Sequence, residues 1–239
     1  PIRGKVLVAI VASIARRQDM MDTFRELCTK SWAQCVSYGD KPGFNQTWQQ
    51  APWSTVEIDV YMDKFPVKTV GDCCGQPTEN NPTASKFFCD PHRSLTFQHQ
   101  YRFLPAINHA RRVFDAQWQS GALRWLVALD DDSVVRADRL EAILRRYKDS
   151  DPIYMGDFGP WTSAFQRVQE ARRSLYSWHA PYACGGSGSV LSRAAVLRTD
   201  FGECERNFHR GCYQSDFMIG RCVSAAGVIP MVNHMSCGV

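Results

Sequence analysis

The sequence predicts an α/β fold in which a mainly parallel central sheet is covered by helices on both faces. Short apolar runs, typical of buried strands, alternate with stretches whose apolar residues recur every three to four positions, as on one face of a helix. One of these runs, residues 125–129, leads directly into three consecutive aspartates. Ligands of parallel sheets bind at the carboxyl ends of the strands, so the aspartates mark a candidate site.

The amino-terminal part is predicted to contain two strands and one helix. Residues 1–17 could pass for a signal peptide, but the apolar run is far too short to span a bilayer, and we favour a first strand at residues 5–12. A helix is expected next, with Asp19 as its N-cap and an apolar face of Met20, Phe24, Leu27 and Cys28. Residues 54–63 are the expected second strand, and residues 65–92, rich in Pro, Gly, Asn and Cys, are expected to form a loop pinned by disulfides.

Two further helices flank the aspartates. The first carries apolar residues at steps of four and three: Phe103, Ile107, Ala110, Phe114 and Trp118. It leads into the predicted strand 125–129. The second is predicted to open at Asp138, because Glu141 three residues later resembles the end of a capping box.

The carboxyl-terminal part is predicted to contain two short strands, PIYMGDF and VIPMV, and two helices. One helix follows the glycine-rich run GGSGS and is capped by Ser192. The other, SDFMIGRCVSAAG, has Ser215 as its N-cap and Gly227 just past its end.

Composition excludes several classes of protein. With 239 residues, 44% of them hydrophobic and 22% charged, the chain has ordinary globular values and room for one large domain or two small ones. A net charge of +4 is too small, and the basic residues too scattered, to indicate a nucleic-acid partner. Arginine pairs such as Arg111-Arg112 fall on predicted helices and are interpreted as solvated faces.

The ten cysteines indicate an oxidising compartment. No CxxC pair occurs, which disfavours a zinc ribbon or a thioredoxin-type site, and the loose spacing is typical of disulfides. A glycosylation sequon at Asn45 points the same way. We therefore expect the secretory lumen or the cell exterior.

The aspartate run, Asp130, Asp131 and Asp132, favours a cation site over a simple turn. Carboxylates at the end of a buried strand repel one another and resist burial, and a cation relieves both effects. In extended geometry Asp130 and Asp132 project to one side, and such oxygen donors suit Mg²⁺ or Mn²⁺ that also binds a phosphate. A solvated strand-to-helix turn is the alternative.

Asp216 is the second candidate for chemistry. In the first turn of a helix the dipole favours its ionised form, which would make it available as a base, although ordinary helix starts also carry carboxylates. The glycines of GGSGS would let a substrate approach the backbone or would equally serve a turn. Spacing gives His234 no special role.

The ordered motifs RWLVALDDDSVV, IYMGD, GGSGSVLSRAAV, SDFMIGRCV and VNHMS resemble the Fringe-type and core-1-type β1,3-glycosyltransferases. The resemblance is close over residues 125–234 and looser at residues 5–13 and 60–63. It implies a GT-A (Rossmann-like) fold, a UDP-sugar donor, Mn²⁺ or Mg²⁺, and inversion at the anomeric carbon. A departure is Ser215, where these families often have an acidic residue.

The resemblance also implies a role for each matching residue. Asp130, Asp131 and Asp132 would form the donor and metal motif, with Asp132 as the direct ligand and His234 as the second protein ligand. Asp216, four residues before Gly220, would be the catalytic base. The nucleotide pocket would be lined by Ala12, Ser13 and Asp63, and the transferred sugar would lie beside Gly185 and Gly186. The core-1-type enzymes have a cysteine matching Cys222, which we expect to pair with Cys204 or Cys212.

From this resemblance we expect a single GT-A-like catalytic domain over residues 1–239. Residues 1–135 would be the nucleotide-sugar half and residues 136–239 the acceptor and catalytic half. The expected reaction is metal-dependent, inverting transfer of a hexosyl or N-acetylhexosaminyl group to a hydroxyl of a glycan or glycoprotein, forming a β1,3 linkage. The alternatives are a catalytically silent secreted binding domain of the same fold and a Mg²⁺-dependent phosphohydrolase. We expect the Golgi or ER lumen, as the ectodomain of a type II membrane protein whose anchor lies outside this chain, or secretion.

Overall fold

A computed structural model describes residues 4–11, 17–39, 54–57, 74, 76, 102–131, 133–158, 182–183, 188–208 and 215–232. The elements of the first half are β1 (Lys5–Val11), α1 (Arg17–Cys28), β2 (Ala33–Gly39), β3 (Ser54–Glu57), α2 (Phe103–Val113), α3 (Asp115–Ser120) and β4 (Leu123–Asp130). Those of the second half are α4 (Ala137–Leu144), β5 (Ile153–Gly156), β6 (Ser189–Ser192), α5 (Arg193–Arg198), α6 (Phe201–Phe208), α7 (Ser215–Ala225) and β7 (Ile229–Val232).

Seven strands of the described residues form one sheet in the order β3-β2-β1-β4-β6-β5-β7. Strand β6 runs antiparallel to both of its neighbours, β4 and β5, and the other strand pairs are parallel. The predicted α/β architecture with a mainly parallel sheet is therefore confirmed. Because β4, β1 and β5 point the same way, their carboxyl ends lie at one edge of the sheet.

Alternate residues of β1 pack into two separate hydrophobic cores, one on each face of the sheet. Leu7, Ala9 and Val11 pack in a cluster with the apolar residues of α2, α3, α5, α6 and α7. Val6, Val8 and Ile10 pack with those of α1 and α4. A strand with both faces buried must be apolar at nearly every position, which is why β1 and β4 are near-continuous hydrophobic runs.

Three elements were not predicted. The first is strand β2, which contains the buried polar Ser37. The second is β6, which occupies part of the glycine-rich segment, and the third is α6, which begins two residues after α5 ends. The helix predicted from the Phe103 to Trp118 face is divided at Phe114 into α2 and α3. The strand predicted at residues 54–63 starts at Ser54 as expected, and its described part ends at Glu57.

The predicted starts of α1 and α4 are wrong. Helix α1 begins at Arg17, so Asp19 lies within it and is not its N-cap. Helix α4 begins at Ala137 with Arg136 as its N-cap and no side-chain capping bond, which places Asp138 in the first turn and removes the predicted capping box. The Ala137 N–H instead donates to Glu26 Oε1 of α1 at 3.2 Å, so a neighbouring helix supplies the acceptor.

Two other helix ends follow the prediction. Ser192 caps α5, its Oγ accepting from the Ala195 N–H at 3.2 Å. Gly227, with φ of 73°, ends α7. Its N–H donates to Ser224 O and the Val228 N–H donates to Val223 O, the two bonds of a Schellman motif. The N-cap prediction for Ser215 is wrong, because Ser215 is already the first residue of α7.

Disulfides tie neighbouring elements together. Cys28 at the end of α1 bonds Cys35 of β2, and Cys204 of α6 bonds Cys222 of α7, one of the two predicted partners. In the predicted 65–92 loop, Cys74 is also disulfide-bonded, and only Cys74 and Gln76 of that loop are described. No described helix is long and apolar enough to cross a membrane.

Candidate active site

The candidate site lies at the edge of the sheet where β1, β4 and β5 end. Val11, the last residue of β1, is the register partner of Asp130, the last residue of β4. The antiparallel β6 begins at the same edge, since Ser189 pairs with Ala128. The aspartate motif (130–132) and the glycine-rich segment (185–189), at least 53 residues apart in sequence, are thus brought together by one antiparallel pairing.

The first two aspartates sit in a tight turn. The Asp130 N–H donates to Ser133 Oγ at 3.1 Å, and the Ser133 N–H donates back to Asp130 O at 3.2 Å. Asp130 Oδ1 accepts from the Asp131 N–H at 2.9 Å, which fixes the orientation of that carboxylate. Asp130 is half-buried and Asp131 is buried. The turn therefore holds the Asp130 carboxylate in a defined orientation, next to the buried Asp131.

Helix α1 anchors this turn from one side. Thr23 Oγ1 donates to Ser133 O at 2.5 Å, and Glu26 accepts from the N–H of Ala137, four residues after Ser133. Thr23 and Glu26 are three residues apart and so share a face of α1. The position of the turn thus depends on α1 as well as on the strand that precedes it.

Two glycines allow the strand ends to approach closely. A Cβ on Gly188, whose φ is 78°, would lie 2.5 Å from Leu129 Cδ2 and 3.1 Å from Ala128 O. A Cβ on Gly156 would lie 2.2 Å from Ala183 Cβ. Both positions exclude any larger residue, because contacts this short are not found between real Cβ atoms and their neighbours. Gly188 of the GGSGS run therefore serves backbone packing.

Asp216 lies in the first turn of α7 and faces tyrosines from two other segments. Its Oδ1 accepts from the Phe217 N–H at 2.7 Å. Burial raises the pKa of Tyr182, and the negative charge of Asp216 raises it further. Burial also raises the pKa of Tyr154, hydrogen bonds lower it by less, and the charge of Asp216 again raises it. Both phenols consequently stay protonated beside this carboxylate.

Tyr154 and Tyr182 join β5 to the start of α7. The Ala183 N–H donates to the Tyr154 hydroxyl at 2.8 Å, and Ser189 Oγ of β6 lies 3.5 Å from the same hydroxyl. Tyr182 packs edge-on against Phe217, with ring centroids 5.1 Å apart. These two tyrosines were missed from the sequence: the motif IYMGD contains Tyr154, but no role was assigned to it.

The described part of the motif has the donor chemistry that a hard divalent cation prefers. Carboxylate oxygens of Asp130 and Asp131 are ligands typical of Mg²⁺ and Mn²⁺. Within the described residues, no group of three or more His, Cys, Asp or Glu side chains lies close enough together to hold a metal. Seven of the predicted site residues lie outside the described residues: Ala12, Ser13, Asp63, Asp132, Gly185, Gly186 and His234.

The Fringe-like family model matches residues 79–235, well over half of the chain and including the aspartate motif and α7. The chain belongs to the Fringe-like family. The sheet order of this Fringe-like chain, with its single reversed strand, is consistent with the GT-A fold that the sequence resemblance implies.

Similar proteins include one named as a glucosyltransferase and one named as a synthase. The chain is 30% identical over 113 residues to a mouse protein named beta-1,3-glucosyltransferase, covering 44% of this chain and 19% of that protein. It is 30% identical over 105 residues to human chondroitin sulfate synthase 3, covering 43% of this chain and 11% of that protein. The matches thus span less than a fifth of either relative.

A solved structure is also similar in outline. The mannosyltransferase Ktr4p from S. cerevisiae matches 94% of this chain and 66% of that chain, with a TM-score of 0.41 and 8% identity.

Proposed function

We propose that this chain is the catalytic domain of an inverting glycosyltransferase. It would transfer a hexosyl or N-acetylhexosaminyl group from a UDP-sugar to a hydroxyl of a glycan or glycoprotein, forming a β1,3 linkage. The observation that carries the proposal is the meeting of two acidic elements at one sheet edge: the Asp130–Asp131 turn ends β4, and Asp216 faces Tyr154 of β5. Family membership supports the reaction class.

Asp216 is the proposed general base. The acceptor oxygen forms a bond to the anomeric carbon, the bond from that carbon to the UDP oxygen breaks, and UDP leaves with the electron pair. The proton of the acceptor hydroxyl moves to the Asp216 carboxylate. A carboxylate placed within hydrogen-bond reach typically contributes about 10²- to 10⁴-fold to the rate. The Phe217 N–H fixes one oxygen of Asp216 and so sets the plane of the carboxylate.

Asp130 and Asp131 are proposed, with Asp132 and His234, to hold the donor diphosphate through Mn²⁺ or Mg²⁺. When bound, the cation supplies charge neutralisation for the leaving diphosphate, an effect of several kcal/mol in other enzymes. What the chain itself contributes is a turn made rigid by Ser133 and anchored to α1 by Thr23. A rigid turn keeps the carboxylates oriented without reorganisation during the reaction.

Tyr182 is proposed as a positioning residue for the base. Tyr182 is half-buried, and burial and the charge of Asp216 raise its pKa, so its hydroxyl stays protonated at neutral pH and could donate to the base. Its packing against Phe217 couples it to the same turn of α7. We further propose an oxidising secretory compartment, the Golgi or ER lumen or the cell exterior, because the described cysteines are disulfide-bonded.

The test is UDP release by the purified chain with UDP-GlcNAc, UDP-Gal and UDP-Glc, each with Mn²⁺ and with a mixture of glycan acceptors. The proposal predicts acceptor-dependent UDP release from one of these donors and its loss in excess EDTA. UDP binding without release in any mixture would favour a silent binding domain. Acceptor-independent release of inorganic phosphate would favour a phosphohydrolase, and full transfer in EDTA would remove the metal from the proposal.

A further inference from the structure

A basic cleft of about 730 Å³ lies among α2, α3 and the turn between α5 and α6. Its charged lining residues are Arg111, Arg112, Asp115, Arg198, Asp200 and Arg206. None of these residues belongs to the candidate active site. Helices α3 and α5 join the sheet at the amino end of β4, the edge opposite Asp130, and the Arg193 guanidinium at the start of α5 donates to Trp118 O of α3 at 2.6 Å. The volume is that of a small-ligand site.

The charges of the cleft are unbalanced toward arginine. Four arginines face two aspartates, and one of each is already engaged, since Arg111 forms an ion pair with Asp115. The other aspartate, Asp200, accepts from the Glu203 N–H at 2.8 Å at the start of α6. The remaining three arginines, Arg112, Arg198 and Arg206, are exposed and form no ion pair among the residues that the structure describes.

Hydrogen-bond donors and an acceptor converge where Gly202 has no side chain. The position that a Cβ of Gly202 would occupy is 3.4 Å from Asp200 Oδ1, 3.6 Å from Arg206 Nη1 and 3.7 Å from Asn108 Nδ2. Asn108 is held there by donating to Glu205 Oε2 at 2.6 Å. One acceptor and two donors therefore surround a single point that the missing side chain keeps open.

We propose that this cleft binds a saccharide that carries carboxylate or sulfate groups. Guanidinium groups match the planar or threefold oxygens of such anions, and three arginines without ion pairs are available to them. The Asp200 acceptor and the Asn108 donor suit sugar hydroxyls, which both donate and accept. Two aspartates on the wall disfavour a dense polyphosphate, whose charges they would repel.

The cleft shares no residue with the proposed transfer site, so ligand binding in the cleft can be tested independently of glycosyl transfer. Arg112 is exposed, as its assignment to a solvated face predicts, and the proposal gives it a binding role in addition. Arg111 supports the cleft through its ion pair with Asp115.

The experiment is calorimetric titration of the chain with a disaccharide bearing one uronic carboxylate and one sulfate. A neutral disaccharide of the same linkage and sodium sulfate are titrated in parallel. The proposal predicts binding of the acidic disaccharide that weakens with rising salt, and weaker or no binding of either comparison compound. Equal affinity for the neutral disaccharide, equal affinity for free sulfate, or no binding of the acidic disaccharide would each overturn it.

Matched variants locate the binding. Arg112→Gln/Arg198→Gln/Arg206→Gln should weaken it by about tenfold or more. The control Arg139→Gln/Arg146→Gln/Lys148→Gln removes the same charge from exposed positions outside the cleft and should leave the affinity near that of the parent. Equal effects of the two triple variants would contradict the assignment. UDP release is measured on the same samples, so a failure of transfer is distinguished from a failure of cleft binding.

A steric variant covers the case in which the charge variants fold poorly. Gly202→Ala places a methyl group at the convergence point and should weaken binding several-fold. The substitution lies in α6 and raises helix propensity, so stability is expected to be maintained. Unchanged affinity in a folded Gly202→Ala protein would count against the cleft as the binding site.

Discussion

Removing the Cys204–Cys222 disulfide should destabilise the protein substantially while also loosening the candidate base. The bond joins α6 to α7 across 18 residues, with Cα atoms 5.8 Å apart. Both residues are in the core, with 4% and 1% of their surfaces exposed. The segment that it closes contains the first turn of α7, where Asp216 lies. Loss of the bond therefore acts on the stability of the fold and on the site together.

The magnitude follows from loop closure. For a loop of this length, the loss of denatured-state entropy corresponds to about 3 kcal/mol at 25 °C in the chain-entropy model. A chain of 150 to 250 residues shifts its melting temperature by about 2 to 4 °C per kcal/mol, so we expect a decrease of about 6 to 12 °C for Cys204→Ala/Cys222→Ala. The Cys28–Cys35 bond closes only 7 residues. Its removal should destabilise by about 2 kcal/mol in the same model.

Differential scanning calorimetry under non-reducing conditions measures both double variants against the parent. We expect the melting temperature to decrease more for Cys204→Ala/Cys222→Ala than for the Cys28–Cys35 variant. We expect a lowered transfer rate for Cys204→Ala/Cys222→Ala alone. A melting temperature within about 2 °C of the parent would refute the entropic argument. So would a larger decrease for the Cys28–Cys35 variant, because the shorter loop has less entropy to lose.

Three further predictions concern other parts of the structure. Glu26→Ala removes the acceptor for the Ala137 N–H and should lower the free energy of unfolding by about 1 kcal/mol, measured by urea titration, with Glu26→Gln retaining most of it. Gly188→Ala should reduce soluble yield and melting temperature sharply, because its Cβ would overlap Leu129 and its φ is positive; a melting temperature equal to the parent's would contradict the close packing. The pKa of His109 is lowered by burial and by Arg112, so the unfolded chain takes up that proton first and stability should fall as pH drops below about 6.5. Arg112→Gln should raise the His109 pKa in an NMR titration, and an unchanged or lower value would contradict this.

The elements that were predictable from the sequence are those with strong local signals. Strands β4, β5 and β7 are compact apolar runs, Ser192 has the oxygen that an N-cap requires, and Gly227 has the freedom that a positive φ requires. The Cys204–Cys222 pairing was one of two expected from the family resemblance. In each case the residue type is determined by its immediate surroundings, so the pattern is visible without the fold.

The missed elements are those whose reason lies elsewhere in the structure. In β2 the buried Ser37 interrupts the hydrophobic run, and in β6 both ends are buried serines. Helix α6 contains Gly202 in its first turn, which weakens the propensity signal although Phe201 and Cys204 share a face. The start of α4 was misplaced because its capping acceptor is Glu26, 111 residues away.

The candidate site was predictable only in part, for the same reason. Asp130, Asp131 and Asp216 stood out through their motifs, and their roles stay predictions. Tyr154 lies in the motif IYMGD but was given no role, and Tyr182 lies in none of the five motifs. Both approach Asp216 because β5, the segment before β6 and α7 meet at one edge of the sheet. The basic cleft is likewise formed by four elements, so the arginine pair on α2 gave no sign of it.

The central claim is tested most directly by the paired measurement of transfer rate and UDP affinity on Asp216→Asn. Asparagine keeps the shape of the side chain but cannot take the proton, so the transfer rate should fall by about 10²-fold or more. UDP affinity should stay close to the parent's, because the diphosphate is assigned to the Asp130 turn. Asp138→Asn, which alters another first-turn aspartate on the exposed surface of α4, should change neither quantity. A transfer rate for Asp216→Asn within a few-fold of the parent's would contradict the account and require another carboxylate as the base.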